Sequence, residues 1–267
     1  AHEYASTKKL HCRAIRSFSG ATKSSPIPGL LNEFNWLEPR SRTQIKMVRQ
    51  YHRILKMDDS RLTKKILKYD LIFGQNGVKD CWSTDIKNIL GRNSLGNTFS
   101  SFPFDIKSTI YDLQKSLLLK DQTKWKSNCI NMPKLRTYVK LDDFFNNKEF
   151  LFKPLTFIQR KFLTKFRLGV LPIRIETGRY ERPRLLEAER FCLVCNDPHA
   201  VENEYHFLLH CSLYNRLRGE LFNKVHDAEF LTWDDDNKFK YLTCNPQIVK
   251  STAQFLISAH NLRSTKL

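Results

Sequence analysis

Residues 191–211 read FCLVCNDPHAVENEYHFLLHC, a stretch that holds three of the seven cysteines of the chain. Its spacing is C-x2-C-x10-H-x4-C, with Cys192 and Cys195 in a tight pair followed by His206 and Cys211. Two thiolates at this spacing converge on one ion, and a later His and Cys can complete the tetrahedron that Zn²⁺ prefers. The spacing therefore predicts one structural zinc ion, with no coordination position left for a catalytic water.

Spacing leaves two candidates for the fourth ligand of this ion, Cys211 and His210. His206 and Cys211 are five residues apart, about 140° round an ideal helix, so both reach one ion only if a helix there ends or is distorted near His210. His210 itself lies four residues after His206 and would give a two-Cys, two-His finger. The ten-residue spacer is short for that class and lacks its core Phe. His199 falls in a predicted turn, where we expect it to be exposed.

The other four cysteines are scattered along the chain at positions 12, 81, 129 and 244. An odd total without a framework predicts reduced thiols and an intracellular protein, nuclear or cytoplasmic. No uncharged apolar run approaches 18 residues, so a transmembrane helix and a membrane partner are not expected. The chain starts without an initiator Met or an apolar leader, which favours a fragment or a processed piece of a longer protein.

The charge balance indicates polyanionic partners. The chain has 45 Lys and Arg against 27 Asp and Glu, a net charge of +18. The whole surplus lies in residues 1–190, and residues 191–267 are close to neutral. Such a surplus favours contact with a polyanion, either nucleic acid or an acidic membrane surface. Of the two we expect nucleic acid, and we expect no small-molecule substrate.

Glycine and proline are few, and the apolar residues recur at helical spacing, which predicts a mainly α fold. The clearest helices are expected over Ser41–Met57, over Arg61–Ile72 and after Pro154, with weaker ones around Lys8–Phe18, Val78–Leu90 and Asp105–Gln122. The Ser-, Asn- and Gly-rich stretch Gly91–Pro103 predicts a loop.

Basic residues form stripes opposite the apolar faces of these helices. On any single helix such a stripe is usually a solvated face, but several of one sign favour contact with the phosphate backbone. The predicted nucleic-acid contacts are Arg42, Lys46, Arg49, Arg53, Lys56, Arg160, Lys161, Lys165 and Arg167.

Two acidic runs could suggest other chemistry. Asp142 and Asp143 resemble the paired aspartates of a polymerase, but without a flanking hairpin they are expected to cap a helix or lie in a loop. Asp234-Asp235-Asp236 is expected to be an acidic surface turn rather than a cation site. No phosphate-binding loop or nucleophile motif is present in the sequence, so we expect no catalytic residues.

The stretch from Arg190 to Arg218, RFCLVC…EYHFLLHCSLYNRLR, resembles the reverse-transcriptase zinc-binding domain at the C-terminal end of non-LTR (LINE-type) retrotransposon polyproteins. The preceding FRLGVLPIRIETGRY (166–180) is similar to the stretch that leads into that domain. YHRILKM (51–57) and RLTKK (61–65) are similar to the helical region after the polymerase domain. One departure is Ser212, where many members have Pro.

The resemblance implies metal ligation by Cys192, Cys195, His206 and Cys211. It also implies an accessory region that binds template RNA or target DNA during target-primed reverse transcription, beside the upstream polymerase domain of the same polyprotein. The predicted architecture is a basic helical region (1–150), an amphipathic basic helix with a zinc-stapled CCHC module (151–225) and a helical tail (226–267). The alternatives are a protein–protein docking module or a degenerate element remnant.

Overall fold

The computed structural model describes residues 2–100, 104–141, 153–195 and 197–267. Over these residues the protein is mainly helical, as the periodicity predicts, and an isolated antiparallel bridge between Phe191 and Val201 is the only β pairing found there. The α-helices are α1 (His2–Ser19), α2 (Ile27–Glu33), α3 (Pro39–Leu55), α4 (Leu62–Gln75), α5 (Trp82–Gly91), α6 (Gly96–Ser100), α7 (Ile106–Ile130), α8 (Phe157–Arg167), α9 (Arg174–Thr177), α10 (Asn215–Phe222), α11 (Asp235–Cys244) and α12 (Val249–Ser264). Short 3₁₀ helices are Pro133–Leu135, Tyr138–Leu141, Glu187–Glu189, Ser212–Tyr214 and Phe230–Thr232.

The predicted helices all have counterparts in the structure. Helix α3 begins two residues before the predicted Ser41 because Glu38 and Pro39 start it, with proline in the first turn. Helices α1 and α7 are longer than expected. The loop predicted over Gly91–Pro103 is wrong in part, since α6 forms within it.

The chain divides into two compact units whose limits differ from the three predicted segments. The first unit comprises residues 1–9 and 37–124, and the second comprises residues 10–36 and 125–267. Of the three limits, one falls within α1, one between α2 and α3, and one within α7.

The first unit is built on α3, α4, α5 and α7. Its core is mostly aliphatic, with Val48, Ile86, Leu90 and Leu113 fully buried, and it includes the ring of Tyr51. The apolar residues of α3 recur every three or four positions, so they lie along one face of the helix that packs into this core. The opposite face is left to the basic residues.

The second unit packs α8 against α12 and surrounds them with aromatic rings. Phe166 of α8 lies 5.6 Å from Phe239 and 5.9 Å from Phe207, ring centre to ring centre. Phe207 in turn contacts Tyr214 and Phe255. These rings fill the space between α8 and the segment that carries His206 and Cys211.

Helix α8 has a defined start and end. Thr156 and Gln159 form a reciprocal capping box at its first turn. At the other end Gly169 has φ of +61°, and a Cβ there would lie 2.0 Å from the carbonyl oxygen of Lys134. Only glycine fits both the backbone conformation and this close approach, so the chain turns away sharply after Arg167.

Among the helices that the structure describes, none has the length and apolar character needed to cross a membrane.

Candidate metal centre

The Cys-x-x-Cys pair lies at the base of a short hairpin-like turn. Phe191 pairs with Val201, and the N–H of Cys192 donates to the carbonyl of Ala200 at 2.8 Å. These contacts hold the two ends of the segment together. Cys192 and Cys195 are both buried, with 6% and 9% of their surface exposed.

A π-helical turn over His206–His210 brings His206 and Cys211 together. The N–H of Cys211 donates to the carbonyl of His206 at 2.7 Å, and Cys211 then leaves the helix with φ of −55° and ψ of 122°. A turn closed between residues i and i+5 holds one more residue than an α-helical turn, so residues five apart return to the same side. The distortion near His210 that the spacing requires is therefore present.

The four predicted ligand residues converge. The ligand atoms of Cys192, Cys195, His206 and Cys211 all lie within 4.8 Å of one another. The Sγ atoms of Cys192 and Cys211 are 4.0 Å apart, and Sγ of Cys195 is 3.4 Å from Nε2 of His206. The three cysteines are not paired in disulfides, so this Cys₃His cluster could hold a metal ion.

The ionisations of the three thiols depend on one another, because the groups lie in contact. A hydrogen bond from Cys211 lowers the pKa of Cys192 to about 3, and the same contact together with burial raises the pKa of Cys211. Burial also raises the pKa of Cys195. Since thiolates rather than thiols bind metals, a cation at the centre would stabilise the charged form of all three.

Arg218 of α10 supports the π-helical turn. Its Nε donates to the carbonyl of Leu208 at 3.0 Å, and one of its terminal nitrogens donates to the carbonyl of Cys211 at 2.7 Å. The side chain is 7% exposed. Arg218 therefore holds both the π-helical turn and the residue that follows it.

Two buried carboxylates anchor the segment between the cysteine pair and His206. Glu202 is fully buried and accepts two hydrogen bonds from Arg263, at 2.7 and 2.8 Å, and one from the backbone N–H of Arg174 at 2.7 Å. Glu204 is 1% exposed and pairs with Arg136 at 2.6 Å. Sequence reasoning gave these residues no role, because the arginine side chains that pair with them lie 61 and 68 positions away.

The other two histidines of the motif lie outside the cluster. Nε2 of His210 is 2.6 Å from Oδ2 of Asp235, and both side chains are about half exposed. His199 is exposed, as expected. The geometry therefore favours Cys211 over His210 as the fourth ligand.

The five predicted basic residues of α3 and its C-cap are all exposed. Among the residues that the structure describes, Lys46, Arg49, Arg53 and Lys56 form no ion pair with an acidic side chain. This cationic surface is called the α3 stripe below and comprises Arg42, Lys46, Arg49, Arg53 and Lys56.

The basic residues of α8 differ from this pattern. Arg160, Lys161 and Lys165 are only partly exposed, and the Arg160 guanidinium lies over the ring of Phe18 at 4.7 Å. Burial lowers the pKa of Lys165, and the neighbouring Lys161 lowers it further.

The prediction that Arg167 contacts nucleic acid is wrong. Its side chain is 2% exposed and makes a two-pronged ion pair with the buried Glu33, at 2.6 and 3.0 Å. It also donates to the carbonyl of Thr243 at 2.9 Å. A guanidinium with these partners is not available to a phosphate.

The acidic runs have separate outcomes. Asp142 and Asp143 lie outside the described residues. Asp234 caps helix α11 by accepting the N–H of Asn237 at 2.7 Å, so Asp235 and Asp236 belong to the first helical turn rather than to a surface turn. Acidic side chains at this position complement the helix dipole.

Comparisons of the chain with protein-family models, with curated proteins and with solved structures find no match.

Proposed function

We propose that Cys192, Cys195, His206 and Cys211 hold one structural zinc ion. Zn–S bonds of about 2.3 Å and Zn–N bonds of about 2.0 Å in a tetrahedron place two sulfurs about 3.8 Å apart and a sulfur and a nitrogen about 3.5 Å apart. The separations of 4.0 and 3.4 Å agree with these values. Four protein ligands leave no open position, so the ion would join residues 191–201 to the π-helical turn without taking part in a reaction.

We further propose that the chain is a nucleic-acid-binding segment, non-catalytic by itself, from the C-terminal region of a non-LTR retrotransposon reverse transcriptase. It would bind the backbone of template RNA or target DNA next to the polymerase domain. The resemblance of residues 166–180 and 190–218 to that family supports the assignment, and so does the convergence of the four ligand positions that the family uses.

The α3 stripe is the observation that carries nucleic-acid binding. Among the described residues, Lys46, Arg49, Arg53 and Lys56 form no ion pair with an acidic side chain, so they are available to neutralise phosphates and release counterions. Beside the stripe a cavity of about 420 Å³ is lined by Arg49 together with Lys107 and Tyr111. The Tyr111 side chain is 66% exposed. An exposed ring beside cations is typical of surfaces that bind nucleic acid.

The salt dependence of binding tests this proposal. We expect the logarithm of the affinity for RNA or DNA to fall linearly with the logarithm of the salt concentration, because each phosphate contact releases a counterion. Replacing Arg49, Arg53 and Lys56 together by Gln should flatten that slope by about 0.7–0.9 units for each lost contact, and should weaken unrelated sequences alike.

A charge-matched control comes from the near-neutral part of the chain. Lys224, Lys250 and Lys266 are exposed, and their replacement by Gln removes the same net charge. This control should leave the slope close to that of the wild-type chain. An α3 triple variant with wild-type affinity and slope would refute the assignment of the stripe.

A second candidate function, docking onto another protein, is favoured by α4. Leu62, Ile66, Tyr69 and Phe73 recur at helical spacing and are 71%, 57%, 63% and 51% exposed. An apolar row of this kind is typical of protein interfaces. Docking predicts weak nucleic-acid binding without a steep salt slope, so the same titrations distinguish the two functions.

A further inference from the structure

The second compact unit contains a cationic cavity that the sequence analysis did not identify. It has a volume of about 630 Å³ and lies between the end of α1, the loop after it and the start of α8. The residues that matter here are Arg13, Arg16, Gly20, Lys23, Phe157 and Lys161. The described residues that line it include four cations and no carboxylate.

One of these cations keeps unused hydrogen-bonding capacity. The Nε atom of Arg16 is buried and has no hydrogen-bond partner within the described part of the chain. A terminal nitrogen of the same guanidinium reaches the carbonyl of Ser25 only at 3.5 Å. A buried donor without a partner is costly, and an anion in the cavity would satisfy it.

The position of a second cation, Lys161, is set by the backbone of the loop. Gly20 has φ of +65°, and a Cβ at this position would lie 2.8 Å from Cβ and Cγ of Lys161. The loop therefore packs directly on the stem of this lysine. A lysine whose stem is held in this way loses less side-chain entropy when it binds an anion.

The cavity also contains an exposed aromatic ring. Phe157 is the first residue of α8, and its side chain is 52% exposed. The capping box of Thr156 and Gln159 defines the backbone immediately around it. An aromatic side chain that remains exposed beside four cations can stack on a nucleobase, whereas a site for inorganic phosphate alone has no need of it.

We propose that this cavity binds a nucleotide of single-stranded nucleic acid, with the base stacked on Phe157 and the flanking phosphates on Arg13, Arg16, Lys23 and Lys161. The proposal rests on the proposed function and gives it a second, distinct contact site. The volume lies within the range of about 300–1,000 Å³ that ligand cavities occupy. The bases of a duplex are stacked inside it and cannot reach a side chain in a cavity, so the site should select unpaired strands.

Fluorescence anisotropy with a labelled 12-nucleotide RNA, the DNA of the same sequence and the corresponding duplexes provides the test. Phe157→Ala should weaken binding of both single strands by about fivefold or more, the lower end of one lost stacking contact. It should leave duplex binding and the salt slope unchanged, because no charge is removed. Phe157→Trp should restore the affinity.

Ile158→Ala is the matched control, since Ile158 is the next residue of α8, is 56% exposed and does not line the cavity. It should bind like the wild-type chain. Lys161→Gln should flatten the single-strand salt slope by about 0.7 units, the value for one phosphate contact. Circular dichroism checks that each variant keeps its helices.

The outcomes separate this inference from the proposed function. A wild-type chain that binds none of the four nucleic acids refutes both. A wild-type chain that binds, together with a folded Phe157→Ala variant of unchanged single-strand affinity, refutes the cavity alone. Equal losses of duplex and single-strand affinity in Phe157→Ala would also refute the stacking site. So would a Phe157→Trp variant that does not regain single-strand affinity.

Discussion

Helices α3 and α8 have the same sequence pattern and use it for different purposes. Each is amphipathic, with arginines and lysines opposite an apolar arc. In α3 the arginines Arg49 and Arg53 are exposed to solvent. In α8 the last basic residue, Arg167, is buried in an ion pair with Glu33.

The difference arises from a carboxylate far away in the sequence. Glu33 lies 134 residues before Arg167 and is 1% exposed, so an arginine must enter the interior to pair with it. The pairs Glu202–Arg263 and Glu204–Arg136 repeat this arrangement around the Cys₃His cluster. A basic stripe therefore predicts an exposed cationic face only where no buried carboxylate faces the same helix.

The largest expected effect is at the Cys₃His cluster, which lies in the same compact unit as α8. Cys192→Ala or Cys195→Ala removes one of four ligands, and we expect the chain to lose the ion that otherwise binds at about one zinc per chain. Residues 191–211 should then lose amide protection in hydrogen exchange. Elemental analysis and exchange mass spectrometry measure both.

Cys12→Ala provides the matched control, because Cys12 is a free, partly exposed thiol outside the cluster. This variant should keep the ion and the pattern of amide protection. In every variant the α3 region should keep its amide protection. A Cys192→Ala chain that still binds stoichiometric zinc, or a metal-free wild-type chain that stays protected over residues 191–211, would contradict the structural zinc.

A smaller but more selective effect is expected at the end of the π-helical turn. Cys211→Ser should lower zinc affinity severely, whereas His210→Ala should change it little, because His210 contacts Asp235 instead of the cluster. Competition with a metal chelator measures the affinities. The reverse order would establish the two-Cys, two-His arrangement.

Much of the metal centre could be predicted from the sequence because its information is local. Spacing identified Cys192, Cys195 and His206 and the need for a distortion near His210 if Cys211 is the fourth ligand, which the resemblance implied. The structure brings these four residues together and has the distortion as a π-helical turn. The helices followed from apolar periodicity for the same reason. The roles of Arg218 and Glu202 could not be predicted, since each depends on partners that only the folded chain brings near.

The buried ion pair of α8 gives the next effect. Arg167→Gln leaves Glu33 buried without its charged partner and should destabilise the protein by about 3–5 kcal/mol. Arg53→Gln removes the same charge from the exposed α3 stripe and should change stability by at most about 0.5 kcal/mol. Urea unfolding followed by circular dichroism measures both. Equal losses in the free energy of unfolding for the two substitutions would contradict the difference between the two helices.

The double variant Glu33→Leu with Arg167→Met sharpens this test. Both charges are replaced by apolar side chains, so no carboxylate is left uncompensated in the interior. Most of the stability lost in Arg167→Gln should return. If the double variant is as unstable as the single one, the loss comes from packing around α8 and not from an unpaired charge.

The smallest expected effect is on the salt dependence of nucleic-acid binding, where we compare variants of the two helices. The α3 triple variant (Arg49, Arg53 and Lys56 to Gln) removes three exposed cations and should flatten the duplex salt slope by up to about 2.7 units. The corresponding α8 triple variant (Arg160, Lys161 and Lys165 to Gln) should flatten it by less than one unit. Two of its three cations are committed elsewhere: Arg160 lies over Phe18, and Lys165 is partly buried with a lowered pKa. Only Lys161 lines the cavity, so its contribution should be seen with single strands and not with duplex.

Titrations of both variants at four or more salt concentrations, on RNA and DNA, measure the slopes. A larger loss for the α8 triple variant on duplex would mean that α8 reaches phosphates despite its partial burial, and would contradict the contrast between the two helices.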